Sequence, residues 1–200
     1  TLASTINSSN DAITFGAITL GANTTINSAG GAIVTGNITG TSGQDIVIGS
    51  IGGSTNTAII NGTIGAGGNI NTITALGTVG VAFLGNVTTN NAAGNTFSAL
   101  GSEIVFNNIT VDTNAASNDG NVLLIADLVT GTLGVDAGAA IFQLTPLTEN
   151  AVIEAASANS GVINEDVFYD IDNFGVLASV ALIGSSSHTG NIFVGNDLAG

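Results

Sequence analysis

Apolar residues alternate with small polar ones along most of the chain, in runs too short to carry a helical period. Ile13, Phe15, Ile18 and Leu20 are spaced +2, +3, +2, and Ile104, Phe106, Ile109 and Val111 repeat that spacing. Ile46, Ile48 and Ile51 show its first three members, and Leu123, Ile125 and Leu128 show them again. A +2 step keeps two side chains on one face of a strand. A +3 step sends the next one to the opposite face, unless the chain turns a corner there. The corner residues are Gly16-Ala17, Gly49-Ser50, Asn107-Asn108 and Ala126-Asp127. Glycine and asparagine accept the left-handed backbone that corners need. The pattern therefore predicts short strands joined by corners. It places Ile13, Phe15, Ile18, Ile46, Ile48, Ile104, Phe106, Ile109, Leu123 and Ile125 in the core.

Gly, Asn, Thr, Ile and Val dominate, and all are poor helix formers. The expected fold is all-β: a parallel β-helix, or β-solenoid, with irregular coils. Each coil lays its strands on those of the coil before, and inward residues stack into a continuous core. A β-sandwich or jelly roll also uses short strands and many turns, and stands as the alternative. The recurring kinked spacing and an aromatic content of 4% weigh toward the solenoid. Glycine followed by Asn or Thr and an aliphatic residue occurs at Gly36, Gly62, Gly68, Gly77, Gly85, Gly120, Gly131 and Gly190. The intervals are uneven, so the coils are expected to vary in length without a fixed period. Residues 1–200 read as a single β-rich domain, with a sub-boundary near the turn-forming cluster at 112–121 and a second break at Pro146.

Composition narrows the function. The chain has no Lys or Arg against 14 Asp and Glu, a net charge of −14. Nucleic-acid binding needs cations to displace phosphate counterions, and attraction to anionic lipid needs them too, so neither partner is expected. Without cysteine there are no disulfides or thiolate metal sites, and the single His188 rules out a two-histidine motif. The most apolar stretch, Val176 to Gly184, is about half the roughly 20 residues that a membrane span requires. Eight Phe and one Tyr do not supply the two aromatic girdles of a transmembrane barrel. No positively charged segment opens the chain at Thr1, so no signal peptide is expected, and the absent start Met reads as a mature product or an excised piece.

Several phrases repeat a theme: Gly-Asn-Ile-Thr at 36–39, Gly-Thr-Ile-Gly at 62–65, Gly-Asn-Ile-Asn-Thr-Ile-Thr at 68–74, Gly-Asn-Val-Thr-Thr at 85–89 and Asn-Asn-Ile-Thr-Val at 107–111. In composition and phrase, residues 5–135 resemble the passenger regions of autotransporter adhesins, most of all the large surface antigens of rickettsia-type bacteria. The resemblance implies a right-handed parallel β-helix displayed on the outer surface of a Gram-negative cell.

The densest chemistry lies at Asn164-Glu-Asp-Val-Phe-Tyr-Asp-Ile-Asp-Asn173. Glu165, Asp166, Asp170 and Asp172 form a candidate calcium site, since hard oxygen ligands suit Ca²⁺ and no Lys or Arg competes for them. The competing reading is a solvated strand in which Asp170 and Asp172 alternate with Tyr169 and Ile171 and point outward. The same acids are also the candidate pair for sugar hydrolysis in a carbohydrate-active β-helix enzyme. Asn118-Asp-Gly-Asn121 and Gly195-Asn-Asp-Leu198 read as plain turns. His188, in Ser185-Ser-Ser-His-Thr-Gly190, reads as part of an exposed turn with no catalytic role. Thr72-Ile-Thr74 has the form of an ice-binding rank without regular repetition. Asn-X-Ser/Thr sequons begin at Asn7, Asn23, Asn37, Asn61, Asn86 and Asn108, no more than such a composition produces by chance.

These readings converge on a non-enzymatic structural or adhesive module of a bacterial surface protein, secreted or held at the cell surface. The alternative is a self-assembling filament, sheath or surface-layer subunit; the enzyme reading comes third. Expected partners are copies of the chain itself or neighbouring β-coils, together with host or cell-surface glycans.

Overall fold

The computed structural model describes residues 1–49, 56–67, 70–90, 94–115, 119–149, 151–156, 167–170 and 174–194. Its elements are all β-strands, and every strand pair is parallel. The chain winds as a β-solenoid, and each turn carries three sets of strands. The first set runs from Leu2–Ser8 through Gln44–Ile48, Ile70–Leu76, Asn95–Leu100 and Asn121–Ile125 to Val180–Ile183. The second includes Ile13–Thr14, Ile33–Thr35, Thr57–Ile60 and Gly80–Phe83. The third is shorter and includes Ile38–Gly40, Val87–Thr88 and Phe174–Leu177. Longer strands such as Ile18–Ser28, Glu103–Asp112 and Leu128–Asp136 run around a corner and serve two sets.

Register turns the alternation of the sequence into columns. On the first face Ile6, Ile26, Ile48, Ala75, Ala99, Leu124, Leu144 and Ile183 are successive partners. On the third, Ile18, Ile38, Ile64, Val87, Val111, Val135 and Val176 follow one another. That column is β-branched throughout, which suits side chains packed on a pleated surface. On the second face Phe83 and Phe106 are neighbours in one column, and Phe97 reaches across from the first face. The ring centroid of Phe83 lies 5.0 Å from that of Phe97 and 5.7 Å from that of Phe106, and all three rings are buried.

Two of the four expected corners carry left-handed backbone, whereas at Ala126-Asp127 the inward residues are Leu124, Ala126 and Val129 rather than Ile125 and Leu128. Gly49 takes φ +95°, Asn108 takes φ +51°, and the register shifts between Phe106 and Ile109. The turn between the second and third faces is a glycine ladder, Gly16, Gly36, Gly62 and Gly85, one rung above another. A Cβ on Gly62 would sit 2.4 Å from the Asn37 nitrogen, and one on Gly85 would sit 2.5 Å from the Gly62 carbonyl carbon. The recurring glycine is thus a matter of inter-coil clearance. Ser50 and Ile51 lie outside the described residues.

Coil length varies, as the uneven glycine intervals suggest. Partners on the first face are 20 to 27 residues apart from Ile6 to Leu144. The last step, Leu144 to Ile183, takes in three strands, Ile153–Ala156, Val167–Asp170 and Phe174–Leu177, one more than a regular coil. Of these, Val167–Asp170 lies between Leu128–Asp136 and Ile153–Ala156, so spatial order reverses chain order there. The absence of a fixed period needs one correction. The first two coils share a period of 20: Thr5-Ile-Asn-Ser8 lies in register on Thr25-Ile-Asn-Ser28, and Ile13 and Ile18 lie on Ile33 and Ile38.

Four expected core positions also need correction. Leu123 and Ile125 are only half-buried, and the inward residues of their strand are Val122 and Leu124. All four are aliphatic, so alternation could not choose the face. The neighbours choose it, because Val122 falls on Phe97 and Phe142, and Leu124 on Ala99 and Leu144. Ile13 and Phe15 point inward but stay half-exposed, because they belong to the first coil. Ile18, Ile46, Ile48, Ile104, Phe106 and Ile109 are buried.

Among the described residues, Thr35 Oγ1 and Thr89 Oγ1 are core hydroxyls buried without a hydrogen-bond partner. A buried hydroxyl with no partner costs roughly 1–3 kcal/mol. Thr35→Val keeps the shape and removes that cost. It is expected to raise stability by about 1 kcal/mol, read as a shift in urea midpoint at constant slope. A destabilised variant would show that the hydroxyl has a partner after all.

Candidate functional surface

The outward positions of the coils are mostly Asn, Thr, Ser and Gly, and these groups bind one another. On the third face the residues before Ile38, Ile64, Val87 and Val111 are Asn37, Thr63, Asn86 and Thr110. Asn37 Oδ1 accepts the Thr63 backbone N–H at 2.9 Å, and Asn86 Oδ1 accepts that of Thr110 at 2.9 Å. On the first face Asn23 Oδ1 accepts the Asp45 N–H at 2.9 Å, and Asn121 Oδ1 accepts the Ile141 N–H at 3.1 Å. One device therefore recurs at several corners: an asparagine on one coil receives the amide of the next. This explains the Gly-Asn-aliphatic phrases. Glycine clears the corner, asparagine ties the coils, and the aliphatic residue enters the core.

The carboxylates of this region are occupied in the same way. Asp45 accepts Asn23 Nδ2 at 2.8 Å on one oxygen and the Thr72 hydroxyl at 2.8 Å on the other. Asp112 and Asp136 are partners in register. Asp112 accepts the Asn114 N–H at 3.0 Å, and Asp136 accepts the Gly138 N–H at 3.1 Å. Among the described residues, no group of three or more His, Cys, Asp or Glu is placed to hold a metal ion. Glu165, Asp166 and Asp172 lie outside the described residues. Asp170 ends the strand Val167–Asp170, and its side chain is not described.

His188 does lie in a turn, its N–H donating to the Ser185 carbonyl at 3.1 Å. Ser186, Ser187 and Thr189 are exposed, and His188 is half-buried with both ring nitrogens covered and without a hydrogen-bond partner. The nearby hydroxyls turn elsewhere: Ser185 Oγ and Ser187 Oγ are 3.0 Å apart, and Ser187 Oγ donates to Glu149 Oε1 at 3.4 Å. No serine here is hydrogen-bonded to the imidazole as a nucleophile would be to its base. Tyr169 is fully buried, and its hydroxyl donates to the Ala126 carbonyl at 3.1 Å. Burial, with the nearby Asp127 carboxylate, holds its pKa well above the ordinary tyrosine value. It stays a neutral donor that ties Val167–Asp170 to the coil beneath.

Thr72 and Thr74 do not begin a threonine rank. The outward column through Thr74 runs Thr25, Val47, Thr74, Ser98 and Leu123. Toward the C-terminus the first face becomes apolar, with Ile141, Val180 and Leu182 each between 36% and 44% exposed. On the third face, Thr110, Asp136, Gly175 and Leu177 border an open groove of about 500 Å³. The apolar stretch Val176 to Gly184 marks part of the first surface in the sequence, while nothing in the spacing marks the groove.

No family model, curated protein or solved structure matches this chain.

Proposed function

We propose that this chain is a non-enzymatic structural or adhesive module of a bacterial surface protein, working outside the cell. The observation that supports it most is the use made of the outward polar groups. Asn23, Asn37, Asn86 and Asn121 join coil to coil, and Asp45 has both oxygens engaged by its neighbours. Such a surface suits a stiff scaffold that presents polar faces, nearly free of charge over the first 100 residues, to glycans or other proteins. A chain without Lys or Arg also offers trypsin-type proteases no cleavage site, which suits life outside a cell.

The test is to anchor residues 1–200 on a non-adherent bacterium and measure retention on glycan arrays and host-cell monolayers. In parallel, the purified chain is screened on polysaccharides. Retention above that of the anchor alone is expected, with no release of reducing ends. Depolymerisation of any polysaccharide would overturn the non-enzymatic reading, and retention equal to the anchor would overturn the adhesive one.

A further inference from the structure

Outward positions on the third face form two columns side by side. One runs Thr110, Gly134, Gly175 and the other Asp112, Asp136, Leu177, each successive pair in register on neighbouring strands. The first column loses its side chains after Thr110. Two glycines lie bare beside each other, and the surface dips there into the groove of about 500 Å³. Apart from its chain neighbours, no atom lies within 4 Å of the place a methyl on Gly175 would take. Leu177 stands on the rim at 68% exposure, the highest of the large apolar side chains among the described residues. These positions face sideways from the stack, so further coils at either end would leave them open.

The rim also carries charge that the chain cannot neutralise. Asp112 and Asp136 are half-buried partners on strands about 4.8 Å apart. Asp112 Oδ1 accepts the Asn114 N–H, and Asp136 Oδ1 accepts the Gly138 N–H and Asn114 Nδ2. Among the described residues the second oxygen of each has no partner. Like charges set side by side in a sheet are unfavourable, and the chain holds no Lys or Arg to offset them.

We propose that this groove is a docking site for an extended basic segment of another protein, one with a large apolar residue two positions before a Lys or Arg. The spacing follows from the strand. Asp136 lies two residues past Gly134, about 6.6 Å along the sheet. An extended segment laid over the strand in the same direction places its own i and i+2 side chains on one face at that distance. The apolar side chain then fills the space over Gly134 and Gly175 against Leu177, and the cation reaches Asp112 and Asp136. A second copy of this chain does not fit, because it has no cation to offer and would set its own carboxylates against these. The groove adds a protein ligand to the surface reading above and does not depend on it.

The probe is the end-capped peptide Ser-Gly-Phe-Thr-Lys-Gly-Ser, titrated into the full chain at low salt and followed by NMR at the Gly134 and Gly175 amides. Saturable shifts at both are expected, and added salt should weaken them. Replacing the peptide lysine with glutamate should weaken binding roughly five-fold or more. Exchanging the order to Phe-Lys-Thr turns the cation to the wrong face and should weaken it similarly. Gly175→Phe fills the groove from within and should abolish binding with circular dichroism unchanged. Thr19→Phe, an exposed outward position on the same face in a distant coil, should leave it intact. The double variant Asp112→Asn/Asp136→Asn should bind the lysine and glutamate peptides alike. Should a variant misfold, the three peptides on the unaltered chain still decide. No saturable shift, equal binding of the lysine and glutamate peptides by the unaltered chain, binding that survives Gly175→Phe, or a response to calcium chloride without one to the peptide would each overturn the proposal.

Discussion

Truncating Phe83 to alanine is expected to cost about 3–5 kcal/mol, the usual range for a fully buried phenylalanine. The ring is 0% exposed and fills the middle of a three-ring cluster with Phe97 and Phe106. Its neighbours in the column, Ile60 and Phe106, are fixed by backbone register with the coils on either side. They cannot collapse into the space without breaking that pairing, so the cavity term should approach its upper range. Stacked coils need not unfold in one step. The loss is best read by hydrogen exchange in Gly80–Phe83 and Glu103–Asp112, beside the urea transition. A cost under about 1 kcal/mol would mean that the rings repack freely, contrary to the rigid column described.

Gly85→Ala is expected to destabilise by about 3 kcal/mol, the upper end for overpacking. The three atoms nearest the new methyl all belong to backbone: the Gly62 carbonyl carbon at 2.5 Å, its oxygen at 2.6 Å and the Thr63 nitrogen at 2.7 Å. Backbone held in an inter-coil ladder cannot rotate aside as a side chain could. Gly16 provides the control. It is the same residue at the same corner, but no atom lies within 4 Å of the place a methyl would take there. Gly16→Ala should stay within about 0.5 kcal/mol of the unaltered protein. Equal effects at both positions would show that intrinsic glycine conformation, rather than coil clearance, sets the requirement.

The fold was legible where polar and apolar residues alternate without ambiguity. Ile104-Val-Phe106 and Ile109-Thr-Val111 place their corner at Asn107-Asn108, and the register shift falls there. It was not legible at Val122-Leu-Leu-Ile125, where either face could have gone inward and only the coils above and below decide. The 20-residue repeat of the first two coils is masked because later coils lengthen and carry the glycines out of phase. The polar surface was legible in composition but not in purpose. Nothing in Gly-Asn-Ile-Thr says that asparagine will receive an amide from a coil some 26 residues further on, as Asn37 does from Thr63. The carboxylates at 165, 166 and 172 fall outside the described residues, so the sequence remains the source for that cluster.

Register between neighbouring coils also has a mechanical meaning. Each strand is bonded to strands 20 to 27 residues away over most of the stack. Tension applied to an end therefore loads the outermost coil first, and its bonds open in sequence along the strand, like a zip. Every coil that peels away releases roughly 70–95 Å of extended chain, while the coils behind it keep their columns. A tether built this way lengthens under load in discrete steps and shields the rest of the stack from the same force.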